Sequence, residues 1–150
     1  MSRHFKGVAL PPTGQREAGP VIDGVRLAPL VVHLWDSAAQ LFVQATVVER
    51  RERLAEHAEA DREWCASGRP EPVPEHPAAA ACSNARWSLD VGDAGRFRET
   101  GTAIHSSGDE CDAVITFAYD GDDDPTTVTV RTTDAVDGRR LATVTMTLSS

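Results

Sequence analysis

Lysine is almost missing from this chain: Lys6 stands alone, and every other of the fifteen cationic side chains is an arginine. A lone lysine beside the N-terminus argues against Schiff-base chemistry and against a phosphate-clamping lysine. The arginine bias, with abundant Ala, Val, Asp and Gly, fits GC-rich coding of the kind used by actinobacteria and their phages. Long apolar runs are missing too, and none approaches the roughly 20 residues a membrane helix needs. Met1–Pro12 carries basic residues but no apolar segment before its prolines, so it does not read as a secretory signal and the expected compartment is the cytoplasm. Cysteine is scarce and odd in number, at 65, 82 and 111. Without an export signal that usage predicts reduced thiols, Cys65–Cys82 being the pairing an oxidising compartment would allow.

Catalytic signatures are also lacking. There is no Gly-x-Ser-x-Gly elbow and no glycine-rich phosphate loop; Gly92, Gly95 and Gly101 are scattered turn residues. His105-Ser106-Ser107 is contiguous, but triads are assembled in space and carry no such signature. The chain is therefore expected not to be an enzyme and to use no cofactor. Two groupings bear on metals. Asp120-Gly121-Asp122-Asp123-Asp124-Pro125 offers oxygens of the kind Ca²⁺ takes, but its glycine sits at the second position and no glutamate follows at the twelfth. A solvated turn explains the same residues. His57, Cys65, His76 and Cys82 are zinc-type ligands, yet none forms a Cys-x-x-Cys or His-x-x-x-His pair. No metal is expected.

The formal charge of −8 disfavours nucleic acid and anionic membranes, both of which select clustered Lys and Arg. The acidity is uneven: residues 86–150 hold twelve acidic and six basic groups, residues 1–48 three and four. It is expected to coat outer faces and turns.

What is present is alternation. In Leu141–Leu148, Ala142, Val144, Met146 and Leu148 fall on one face and Thr143, Thr145 and Thr147 on the other, the pattern of a half-buried strand. Leu41, Val43, Ala45 and Val47 predict another core face, as do Trp87, Leu89 and Val91, then Ala113, Ile115, Phe117 and Tyr119, then Val128 and Val130. Segments 30–35 and 41–48 make a hairpin around Asp36–Ala39, Val21–Leu34 reads as two short strands with Pro29 at a start or edge, and Asp137-Gly138 is a tight-turn pair. Residues 96–104 read as a weaker strand pair broken at Gly101, and 106–110 as a loop.

Between the strands the period changes. Residues 49–66 contain no Gly or Pro and place Leu54, Ala58, Trp64 and Cys65 at helical spacing. Glu49 and Arg53 stand in an (i, i+4) relation. Four prolines within 68–77 then favour an extended segment. Residues 49–85 thus form an insertion, with a helix at 49–66 and a proline-rich loop at 68–77. At 150 residues one domain is expected, and about 110 residues remain outside the insertion, near the size of an immunoglobulin-like sandwich. The expected fold is all-β: an antiparallel, immunoglobulin-like β-sandwich of seven or eight strands with a helix-plus-proline-rich insertion.

Trp87-Ser88-Leu89-Asp90-Val91-Gly92-Asp93-Ala94-Gly95-Arg96-Phe97 gives a strand, a short acidic-glycine turn and an aromatic, followed by the longer strand 113–119. This stretch, continued to Leu148, resembles the C-terminal half of bacterial immunoglobulin-like domains. The resemblance implies a non-catalytic accessory or adhesive module and transfers no functional residue. Trp35 and Trp87 are expected in the core. Leu54 and Trp64 form the candidate interaction surface, since a sandwich does not need the insertion. The expected function is a non-catalytic protein-interaction or assembly module with a protein partner or a second copy. A small-molecule pocket or small enzyme site between insertion and sheet, and a structural role in a phage or other particle, are the alternatives.

Overall fold

The structure is a computed structural model and describes residues 4–15, 17–121 and 123–149. The described residues form nine strands, with two helices between the fourth and fifth: β1 (Phe5–Leu10), β2 (Val21–Ile22), β3 (Val25–Trp35), β4 (Ala38–Val47), α1 (Glu52–Ala66), α2 (Pro77–Ser83), β5 (Ala85–Asp90), β6 (Arg96–Ser107), β7 (Glu110–Asp120), β8 (Thr127–Asp134) and β9 (Arg140–Ser149). A short 3₁₀ turn, Gly92–Ala94, joins β5 to β6. All strands pair antiparallel in one sheet, in the order β5-β8-β9-β1-β3-β4-β7-β6, with β2 paired to β3.

The antiparallel all-β architecture with a helical insertion is present. The division into two stacked sheets is not clear, because hydrogen bonding runs without a break from β5 to β6 and the sheet curls nearly shut like a barrel. The inner face is the core. Leu41, Val43, Ala45 and Val47 are buried on it, as are Ala113, Ile115, Phe117, Tyr119, Val128, Val130, Val144 and Met146. Each of those strands alternates because one side of the pleat meets the core and the other meets water.

Several elements differ from the sequence expectation. β1 carries no signal strong enough to read, yet it joins β3 to β9. Pro29 lies inside the long strand β3, not at its start, and the ladder with β4 shifts register between Pro29 and Val31. A bulge tolerates the missing N–H. Residues 96–107 form a single strand with a register shift between Glu99 and Gly101, not a broken pair. The loop expected at 106–110 shrinks to a turn at Gly108-Asp109.

The insertion divides in two. α1 starts at Glu52, three residues later than its sequence suggests, and buries none of its residues. It is tethered at its start: Arg50 and Arg53 both reach Asp23, where the Glu49–Arg53 pair was expected. Asp23 and Gly24 have positive φ, the two-residue hairpin turn between β2 and β3, and the Gly24 carbonyl accepts from Val48 and Glu49 N–H. A Cβ on Gly24 would collide with the Glu49 carbonyl. α2 is the part that enters the fold: Pro77, Ala78 and Cys82 are buried against the inner face. The Ala78–Ala81 run lets the helix come close to the sheet because its side chains are small.

Candidate functional site at the open seam

β5 and β6 leave the same turn but do not pair. The turn itself is held firmly. Tyr119 Oη donates to the Ala94 carbonyl at 3.3 Å, and its ring lies so close to Gly95 and Gly121 that a Cβ at either would overlap it. On the β5 side, Asp90 accepts from Arg131 of β8 at 2.6 Å and from the Gly92 N–H at 2.7 Å. The Arg131 hydrogen bond, then that of Gly92, holds the Asp90 carboxyl below the usual carboxylate range.

Above the turn the seam opens into a cavity of about 300 Å³. Trp87 of β5, Ile104 of β6 and Ala113 and Ile115 of β7 give it apolar walls, Cys82 and Ser83 close it from α2, and Arg86 and Glu99 bring charge to its rim. The β6 residues opposite the buried β7 positions are Phe97, Glu99, Thr102, Ile104 and Ser106, and cross-strand partners share a face. These side chains therefore point inward. Even so, every residue of β6 except Phe97 is exposed, and Ile104 keeps 40% of its surface in water. An inward face open to solvent means that, among the described residues, no strand closes the barrel here.

Lengths explain why. β5 has six residues and β6 has twelve. Leaving a shared turn, β5 can run beside Arg96 to Gly101 and no further. Thr102–Ser107 has no ladder partner on the seam side, and β5 faces it only across the cavity. Its backbone edge is a row of N–H and C=O groups on offer to another strand.

The expected site residues lie elsewhere. Leu54 packs half-buried against the core. Trp64 is folded onto the chain that follows it: Nε1 donates to the Pro70 carbonyl at 2.6 Å, and the Arg69 guanidinium lies over the ring at 5.7 Å. Ala58 and Cys65 are exposed, so the stripe expected along α1 does not form a continuous contact. Trp87 is buried in the core as expected, while Trp35 is half-buried on the outside of the sheet, edge-on to Phe5 at 5.5 Å and His33 at 6.0 Å.

Of the four zinc-type residues only His57 and His76 meet, with ring centroids 5.2 Å apart. Cys65 is exposed, and Cys82 faces Cys111 in the core, not Cys65. Burial pushes the Cys82 thiol up to about 12, with Cys111 adding to the shift. In the aspartate loop, Asp122 lies outside the described residues and Asp124 is paired with Lys6. Among the described residues no three His, Cys, Asp or Glu side chains cluster as a metal site. His105 and Ser106 are consecutive on β6 and point to opposite faces, opposite Asp112 and Cys111 of β7 respectively. No described helix is long and apolar enough to cross a membrane.

Compared with protein-family models, with curated proteins and with solved structures, the chain matches none.

The signal for the seam was present in the sequence but mute. Arg96–Ser107 alternates too weakly to reveal an inner face, and nothing local shows that its neighbour is half its length.

Proposed function

We propose that this chain is a non-catalytic, cytoplasmic protein-binding and assembly module that takes an added strand on the β6 edge, and that it binds neither nucleic acid nor membrane. The observation that carries this reading is the inward-facing but exposed row Thr102, Ile104 and Ser106 on a strand whose last six residues pair with β7 on one side and with no described strand on the other. Strand addition supplies main-chain hydrogen bonds, and alternate side chains of the incoming strand reach the open cavity. The interaction surface shifts from Leu54 and Trp64 to β6, because Leu54 is engaged with the core and Trp64 with Pro70. The likeness of Trp87–Leu148 to immunoglobulin-like accessory modules supports a non-catalytic role of this kind.

A second reading, a small-molecule binder, is favoured by the seam cavity, whose volume is at the lower end of ligand pockets. Native mass spectrometry of protein gently purified from its own source separates the two. Added protein mass in the wild type that disappears in Ile104→Lys, with the circular dichroism spectrum unchanged, is the expected result. A small added mass transfers the assignment to the pocket. A bare monomer in both, or the same complex in both, removes β6 from the account.

A further inference from the structure

We infer that Cys82 and Cys111 are a redox pair: oxidation joins them in a disulfide that staples α2 to β7 across the core, and reduction releases it. The staple goes beyond strand addition on β6 and does not depend on it. Chain spacing brings the two residues together. The 2.8 Å bond between His76 Nε2 and the Gly108 carbonyl sets the start of α2 beside the turn between β6 and β7. From His76 to Cys82 a helix advances about 9 Å. From Gly108 to Cys111 a strand advances about 10 Å. Cys82 also shares the wall of the seam cavity with Ala113 and Ile115, the buried residues that follow Cys111 on the inner face of β7. α2 therefore lies along the start of β7, and the two thiols meet side by side inside the same buried cluster. Both are free. The Cys65–Cys82 pairing that the sequence allowed does not fit this arrangement. Cys65 is exposed near the end of α1, beside a Trp64 turned onto Pro70, and reaching it would draw Cys82 out of the core.

The step is thiol–disulfide exchange with a small disulfide such as glutathione disulfide. One cysteine loses its proton and attacks, forming a mixed disulfide and releasing one glutathione. The other loses its proton and displaces the second glutathione, which closes the Cys82–Cys111 bond. Two electrons pass from the pair to the glutathione disulfide, and the two thiol protons end on the two glutathione thiols. Burial pushes both thiols up, Cys82 to about 12, and shields them from a reagent as large as glutathione. Exchange therefore begins while α2 is off the sheet, and its docking brings the second sulfur to the mixed disulfide. In a reducing compartment the pair rests as thiols, and oxidation sets the staple. Once closed, the bond fixes Cys82 and Ser83, the α2 wall of the seam cavity, to the strand that supplies Ala113 and Ile115.

The test refolds the full chain from urea in equimolar reduced and oxidised glutathione, so that shielding of the thiols sets no limit, and then alkylates whatever thiol remains. The expected product is a monomer lighter by two hydrogens than the reduced chain before alkylation. Cys65 carries the alkyl group or glutathione, and digestion releases one linked peptide pair, Cys82 with Cys111. Cys65→Ser, which removes the exposed competitor, should give the same pair. Its oxidised form should melt about 5 °C or more above its dithiothreitol-reduced form, as a bond that closes a loop without strain does. Amides of α2 should exchange more slowly in the oxidised form, and dithiothreitol should reverse both changes. In Cys65→Ser/Cys111→Ala the gain in melting temperature on oxidation should vanish. Cys82 and Cys111 both alkylated, or both left as mixed disulfides with glutathione, overturns the staple. So does a bond from Cys65 to either of them, or a Cys82–Cys111 bond that lowers the melting temperature and speeds exchange in α2.

Discussion

His76 fixes the second helix from three sides. Its Nδ1 accepts from the Ala78 N–H at 3.1 Å, capping the first turn of α2, so the ring proton sits on Nε2, which donates to the Gly108 carbonyl at 2.8 Å. The ring is 7% exposed and stands edge-on to His57. His76→Ala removes the cap and the Gly108 bond together and is expected to cost about 2–3 kcal/mol in urea unfolding. His76→Asn, which retains a capping oxygen, should cost less. Cys82 gives a pH signature. Its folded-state value lies near 12 against an ordinary 9, so the unfolded chain releases the thiol proton first as pH rises. Stability contributed by the neutral buried thiol is complete below pH 9 and is lost between 9 and 12, by at most about 1.4 kcal/mol per pH unit. Urea midpoints measured from pH 8 to 10.5 should fall, and Cys82→Ala should flatten the fall. Cys65 alone is exposed, so one thiol of three should react with an aromatic disulfide reagent in the native protein.

At the scale of elements, α1 and α2 differ in kind although they are neighbours in sequence. Isolated helices of fifteen residues are marginal in water, and α1 has neither a side-chain cap nor a buried residue. It is held by Asp23 at one end and by the Trp64–Arg69–Pro70 fold-back at the other. Trp64→Ala is therefore expected to cost about 1–2 kcal/mol, short of the 3–5 of a fully buried tryptophan, and to fray the last turn in amide exchange. α2 has seven residues and no independent stability, yet it sits against the inner face through Ala78 and Cys82. The turn Gly92–Gly95 is the third element set by packing. Gly121→Ala drives a Cβ into the Tyr119 ring and the Ala94 carbonyl, and a loss of about 1–3 kcal/mol should be seen as a lower melting temperature.

For the whole molecule, the sheet is secure at its middle and open at one seam. β4 pairs with β3 on one side and β7 on the other along nearly its full length, and Leu41 at its centre is fully buried. Leu41→Ala is expected to cost about 2–5 kcal/mol. Hydrogen exchange should be slowest in β4 and β7. In the isolated chain the free-edge amides of residues 102–107 should exchange rapidly, and protection there in the source-purified complex would report the added strand.

The sequence by itself determined which residues are strands and which face goes inward: Leu41 to Val47, Ala113 to Tyr119 and Val128 to Val130 were legible because burial of one side of a pleat imposes a period of two that any reader of the chain can see. It also determined the insertion and its proline stop. Only the tertiary structure decided that the sheet is one nearly closed ring, that α2 plugs it, that Cys82 meets Cys111, and that β6 outruns β5. Those outcomes depend on contacts between residues far apart in the chain, and on the relative lengths of strands that become neighbours only when the sheet curls. No local pattern records such relations, because the hydrophobic period registers burial and not the identity of the element that provides it.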